Sequence, residues 1–232
     1  MLRQFFKSTN YQDPDLVDVI FAKTAALDEK ALSDFPPSAG LDQTVLGVSY
    51  AASLIPNRPM RVLDFGGACG FHHRVAGVAA PHIKTKWAVV ETPAMAKRAT
   101  ELATDSIRFF HRISDAVSWL GGVDLMYSSG TLQCVAEPES TLRDLCSVGA
   151  TVLIWTRLAL STGDRVKVTQ TSMLSENGPG PMPAGFVDRP VNFSRIEIPV
   201  SDFLETHRRE NYHQAWKFSG DSVGFLFSKR PA

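Results

Sequence analysis

The chain has 232 residues, 44% hydrophobic and 21% charged, close to the average for a soluble globular protein, which excludes collagen-like, disordered and low-complexity classes. Lys plus Arg number 24 and Asp plus Glu number 24, so no whole-molecule positive field favours nucleic acid as the main partner. No apolar run approaches the roughly 18 residues of a membrane span, and the charged start MLRQFFKSTNYQD does not resemble a secretory leader. A cytoplasmic protein is expected.

The first sixty residues read as helical. Leu16, Val19, Ile20, Ala26 and Leu27 recur near a 3.6 period between Asp15 and Leu32, and Leu41 to Ile55 repeats the pattern. Phe35-Pro36-Pro37 separates the two as a rigid break. From Met60 the texture changes to short β-type runs alternating with helical ones. MRVLDF leads to a helix near Phe71–Ala80, TKWAVVE to a helix from Pro93, and IRFF to a short helix over Ser114–Leu120. VDLMYSS then precedes a helix near Pro138–Ser147, and ATVLIWT closes the series. Five strands separated by helices predict an α/β fold with a doubly wound, Rossmann-like, mostly parallel sheet.

After Leu160 the rhythm breaks. Ser161 to Pro199 holds five prolines (179, 181, 183, 190, 199) and four glycines (163, 178, 180, 185), a composition that reads as a long functional loop. Order resumes where Ser201 caps a helix to about Glu210, and YHQAWKF and VGFLFSK flank Ser219-Gly220-Asp221 as a C-terminal antiparallel hairpin. The cysteines, Cys69, Cys134 and Cys146, form no C-x-x-C pair, which indicates neither a disulfide framework nor a cysteine zinc site. Cys69-x-x-His72-His73 lacks an evident fourth ligand, so no metal is expected.

The segment Asp64-Phe65-Gly66-Gly67-Ala68-Cys69-Gly70-Phe71 sits where the first strand hands over to the first helix of the α/β series. Glycines there let backbone approach a ligand, and the helix start offers unsatisfied N–H groups. A nicotinamide-dinucleotide fingerprint needs G-x-G-x-x-G, which glycines 66, 67 and 70 do not supply. Glu91, 27 residues after Asp64, should end the second strand at the sheet's carboxyl edge, where a carboxylate can accept both hydroxyls of a ribose.

Asp64-x-Gly66-x-x-x-Gly70, Glu91 and the strand Asp124-Leu-Met-Tyr-Ser-Ser-Gly-Thr-Leu-Gln133 resemble the class I S-adenosylmethionine-dependent methyltransferases. More narrowly, DFGGACGF, WAVVETPAMA, SSGTLQ and LIWTRLAL resemble a bacterial methyltransferase family with a DFGG motif. The likeness covers about residues 60–160 and the terminal hairpin, with Ala68 standing where such enzymes often carry a glycine. It implies that Asp64, Gly66, Gly67 and Gly70 support the amino-acid part of S-adenosylmethionine and that Glu91 holds the ribose. Phe110–Ile113 would then lie beside the adenine, and Ser128 and Ser129 beside the cofactor's amino group. Residues 1–59 are expected as a helical cap on a cofactor-binding domain at 60–232, with a lid-like insertion at about 161–199.

Methyl transfer from a sulfonium is an in-line displacement, so the protein chiefly supplies alignment, with a base only where the acceptor must lose a proton. Candidates at the carboxyl edge are His72, His73, Tyr127, Gln133 and Arg157. His73 is the expected base and Arg157 the partner of an anionic acceptor group, with local hydrogen bonding and a surface ion pair as the plain alternatives. In the insertion, Gln170, Met173, Phe186 and Arg189 are candidate acceptor contacts, unless the segment is a structural wrap or the arm of a homodimer. Strand 4 lacks the Asn/Asp-Pro-Pro-aromatic run of base-amine methyltransferases, which favours a small-molecule acceptor. Gly220-Asp221-Ser222-Val223-Gly224 fits G-x-S-x-G, yet no histidine follows and the context is a hairpin, so a hydrolase elbow is rejected. A binding module without catalysis, and more distantly a nicotinamide enzyme, remain the alternatives.

Overall fold

Met60–Phe65 (β1) is buried along nearly its whole length, as a strand covered on both faces must be, and its apolar run needs no alternation to be stable. Parallel partners flank it: Thr85–Val90 (β2) on one side and Leu125–Ser129 (β4) on the other. Ile107–Phe110 (β3) extends the sheet beyond β2, and Val152–Leu158 (β5) beyond β4. In this computed structural model, which describes residues 9–28, 30, 32, 39–55, 58–219 and 223–229, the five strands fall where the sequence predicts them. Tyr212–Phe218 (β9) and Val223–Lys229 (β10) complete a seven-stranded sheet of order β3-β2-β1-β4-β5-β10-β9, with β10 antiparallel to both neighbours. The Phe35-Pro36-Pro37 break and the hairpin tip at 220–222 lie outside the described residues.

Helices cover both faces. Ala39–Ser53 (α2) and Phe71–Ala79 (α3) pack through Val48, Ala51 and Ala76 on Val62, Trp87 and Tyr127. Ile113–Leu120 (α5), Pro138–Ser147 (α6) and Val200–Arg209 (α7) close the other face over Leu63, Phe65 and Trp155. Helix α7 is preceded by Pro199, so Ser201 lies inside its first turn rather than capping it. None of the described helices is long and apolar enough to cross a membrane.

The segment 161–199 corrects the reading of a loop. Val166–Met173 (β7) and Pro190–Pro199 (β8) pair antiparallel over eight residue pairs, and Leu160–Ser161 (β6) adds a short parallel partner to β8. Prolines 179, 181 and 183 all fall in the connection, where no ladder N–H is required, while Pro190 and Pro199 sit at the ends of β8. Pro14–Ala25 (α1) buries Leu16 and Val19 against Leu174, Val191 and Phe193 of this hairpin. Its opposite side places Val17 against Cys69, Met95 and Ala99, the last two on Pro93–Ala99 (α4). Thus α1 joins the hairpin to the carboxyl edge of the sheet, at the point where the strand order reverses between β1 and β4 and a crevice opens.

Candidate functional site

The turn after β1 is tightly specified. Gly66 adopts φ 78°, and a Cβ there would come within 1.9 Å of Thr131 Oγ1, so glycine is needed for conformation and for space. A Cβ on Gly67 would meet the Asp64 carboxylate at 2.3 Å. Ala68 also takes a left-handed conformation, φ 48°, where a side chain costs roughly 1–2 kcal/mol. The Gly66 N–H is tied to Val90 O at 2.8 Å, fastening the turn to the end of β2.

Glu91 follows directly. Its Oε1 accepts from the Ala68 N–H at 3.1 Å and its Oε2 from the Thr92 N–H at 2.7 Å. Burial pushes the carboxyl up to about 7, against the pull of these two N–H groups. Thr92 in turn caps α4, its hydroxyl accepting from Met95 N–H at 3.2 Å.

A cavity of about 440 Å³ opens above these groups. Gly66, Ala68, Glu91, Thr92, Ser129 and Gly130 line it. So do Tyr11, Gln133, Arg157, Gln170, Phe193 and Arg195. The Tyr11 hydroxyl donates to Cys134 Sγ at 2.9 Å, its ring stands 4.6 Å from Phe193, and burial drives its pKa strongly up, so it remains a neutral phenol. The Gln133 amide donates Nε2–H to Arg157 O at 3.0 Å, while its Oε1 is buried without a partner.

No family model and no curated protein matches the chain. Solved structures do. The sugar N-methyltransferase KedS8 from Streptoalloteichus sp. superposes with a TM-score of 0.56 at 13% identity, covering 84% of this chain and 88% of that one. The CcbJ methyltransferase from Streptomyces caelestis gives 0.56 at 12%, covering 97% and 100%. The 1,6-didemethyltoxoflavin-N1-methyltransferase from Burkholderia thailandensis gives 0.52 at 14%, covering 100% and 94%. The fold is the Rossmann-like methyltransferase fold.

Within this methyltransferase fold the residues picked from sequence separate into two groups. Gly66, Glu91, Ser129, Gln133, Arg157 and Gln170 meet at the cavity. Asp64 does not: it is fully buried on the α2/α3 face, its Oδ2 accepting from Trp87 Nε1 at 3.1 Å and lying 3.7 Å from His72 Nδ1. Its carboxylate lies close against the turn at Gly67. Gly67 serves that close approach, Gly70 starts α3, and neither lies on the cavity wall. Ser128 donates to Phe65 O at 3.0 Å, strapping β4 to β1.

His73 sets its ring edge-on to Trp87, centroids 5.6 Å apart, away from the cavity wall, and burial lowers its pKa. Tyr127 is a core residue bonded to Thr44 at 2.7 Å. Phe110 packs on Trp119, and none of Phe110–Ile113 lines the cavity. In the hairpin, Phe186 belongs to the cluster beneath α1, and Arg189 pairs with Asp13 and Asp15 at 2.8 and 2.9 Å. Met173 is partly exposed and lies off the wall as well. Tyr11, Phe193 and Arg195 were not legible as site residues, because only the docking of α1 and the β7–β8 hairpin brings them to the edge. An aromatic and a cation at alternate positions of a strand-like run, Phe193-x-Arg195, were the one local signal.

Proposed function

We propose that the chain is an S-adenosylmethionine-dependent methyltransferase acting on a small-molecule acceptor. The observation that carries this is the Glu91 carboxylate, fixed by the turn N–H of Ala68 and facing a cavity also lined by Gln133, Arg157 and Gln170. The residues fit the cofactor. Each Glu91 oxygen accepts one backbone N–H and retains capacity for a ribose hydroxyl. The glycine turn at Gly66–Ala68 would hold the amino-acid portion, with Ser129 and Gly130 beside its amino group. When bound, S-adenosylmethionine supplies an activated methyl group.

The chain's own residues then do three things: hold the donor through Glu91 and the turn, align the acceptor from the β7–β8 side, and exclude water beneath α1. Proton removal by a histidine is not part of this reading, since no described histidine lines the cavity. Tyr11 stays a neutral phenol whose one O–H is given to Cys134 Sγ, so its oxygen is left to accept from a ligand. The small volume of the cavity, which Tyr11, Phe193 and Gln133 help to line, supports a metabolite rather than a polymer.

The test is calorimetric titration with S-adenosylhomocysteine and, separately, with NAD. Saturable binding of the first and not the second is expected. Equal or exclusive binding of NAD removes the proposal.

A further inference from the structure

We infer that the part of the cavity beside Gly130 is an anion subsite centred on the Arg157 guanidinium, and that its ligand is a small carboxylate or phosphate bearing a neighbouring hydroxyl or amine. That this ligand is the methyl acceptor rests on the methyltransferase reading. The subsite itself rests on separate observations.

The first is backbone conformation. Three non-glycine residues of the described chain have positive φ: Ala68, Arg157 and Asn211. Asn211 follows the end of α7, where asparagine tolerates that conformation. Arg157, at φ 54° near the end of β5, has no such excuse, and a glycine there would avoid the strain. The strained backbone is held by Gln133, whose Nε2–H donates to the Arg157 carbonyl. It carries the side chain beside Gly130, a cavity residue, where a Cβ would come within 3.6 Å of Arg157 Cβ and Nε. The guanidinium makes no ion pair or hydrogen bond among the described residues, although its five donors suit a planar anion.

The second observation is a pair of unmet polar groups on the same wall. Gln133 is only 8% exposed, and its Oε1 has no partner. Because Nε2 is committed to a carbonyl, the amide orientation is settled and the free atom is an acceptor. It calls for an O–H or N–H from a ligand. Arg195 pairs through Nη2 with Glu197, yet its Nε is buried and unpartnered. Arg157 and Arg195 both line the cavity, together with Cys134. Glu197 offsets the charge of Arg195, and Glu176, another acid of the cavity wall, accepts the Met173 N–H at 2.7 Å. Glu91 lines the same cavity, and Arg157, solvent-exposed, is in no ion pair among the described residues.

The experiment titrates the protein, saturated with S-adenosylhomocysteine, with D-glucuronate, inorganic phosphate and D-glucose. At least one anion should bind tenfold or more tightly than glucose, and the two anions tell a carboxylate ligand from a phosphate one. Arg157→Gly should weaken that binding at least tenfold, keep S-adenosylhomocysteine affinity within twofold, and melt no lower than the parent, since glycine relieves the left-handed backbone. Arg157→Asn, which tolerates the same φ, gives the same anion loss if the glycine variant does not fold. Glucose binding as well as both anions, neither anion binding, or undiminished anion affinity in both variants overturns the inference. Anion binding lost on Arg157→Gly in a protein that takes no S-adenosylhomocysteine keeps the subsite and removes the cofactor reading.

Discussion

The Glu91 carboxylate accepts the Ala68 N–H at 3.1 Å, so the end of β2 grips the turn that follows β1. One side chain thereby shapes the turn and faces the cavity, and its protonation bears on both roles.

Burial raises the Glu91 carboxyl to about 7, and only the ionised form accepts two ribose hydroxyls while holding both N–H groups. S-adenosylhomocysteine affinity should therefore be full at pH 8.5 and fall by about tenfold per unit well below pH 7. Glu91→Ala should reduce affinity at pH 8.5 by about 1–3 kcal/mol and flatten the profile. Calorimetry across pH 5.5–8.5 checks this, and a flat parent profile contradicts it.

Ala68 carries a Cβ in the left-handed region. Ala68→Gly should raise stability by up to about 1 kcal/mol, because the relief of strain outweighs the added freedom of the unfolded chain. Ala68→Val should lower it, since a branched side chain fits that conformation worse. Urea midpoints of the three proteins decide.

His207 is fully buried, with Nε2 accepting from Trp155 Nε1 at 2.8 Å, Nδ1 bonded to Phe203 O at 2.7 Å and the ring stacked 3.8 Å from Phe227. Burial lowers its pKa to about 4. The folded state thus binds a proton less readily than the unfolded one, whose histidine titrates near 6.5. Its contribution is complete above pH 6.5 and is lost as pH falls towards 4, on the order of 3 kcal/mol in all. Glu91, whose folded pKa is raised, acts in the opposite direction. The stability difference between the parent and His207→Gln isolates the histidine and should shrink steadily from pH 7 to pH 4.5.

At the opposite edge of the sheet, Asp124 accepts from Arg58 and Arg61 at 2.6–3.0 Å, and these bonds hold its carboxyl well below the usual range against the cost of burial. Asp124→Ala should destabilise by about 2–3 kcal/mol, a value discounted because both arginines are partly exposed. The loss should be visible in denaturant midpoints above pH 5. S-adenosylhomocysteine affinity of the folded fraction should not change, since this edge is structural.

Strand limits were readable from the chain because periodicity and turn chemistry act over a few residues, whereas the helix expected over Asp15–Leu32 ends at Ala25. Met60–Phe65, Thr85–Val90, Ile107–Phe110 and the terminal hairpin all fall in the runs that predicted them. The glycine turn and Glu91 were readable too, because the parallel topology carries both to one edge once the strands are assigned. The hairpin in 161–199 was hidden by its prolines, although Val166-Lys-Val-Thr-Gln-Thr has the β-branched texture of a strand.

Other features were decided only when the chain closed on itself. A strand buried on both faces gives no alternation from which to tell which face Asp64 takes, and packing assigned it to Trp87 and His72 against the turn. Likewise Tyr11, Gln133, Arg157 and Arg195 are scattered over 185 positions of sequence. They share a wall because α1 docks on the β7–β8 hairpin and both lean over the reversal point of the sheet. Local sequence determines backbone conformation through short-range sterics, whereas the company a side chain keeps depends on burial between distant segments.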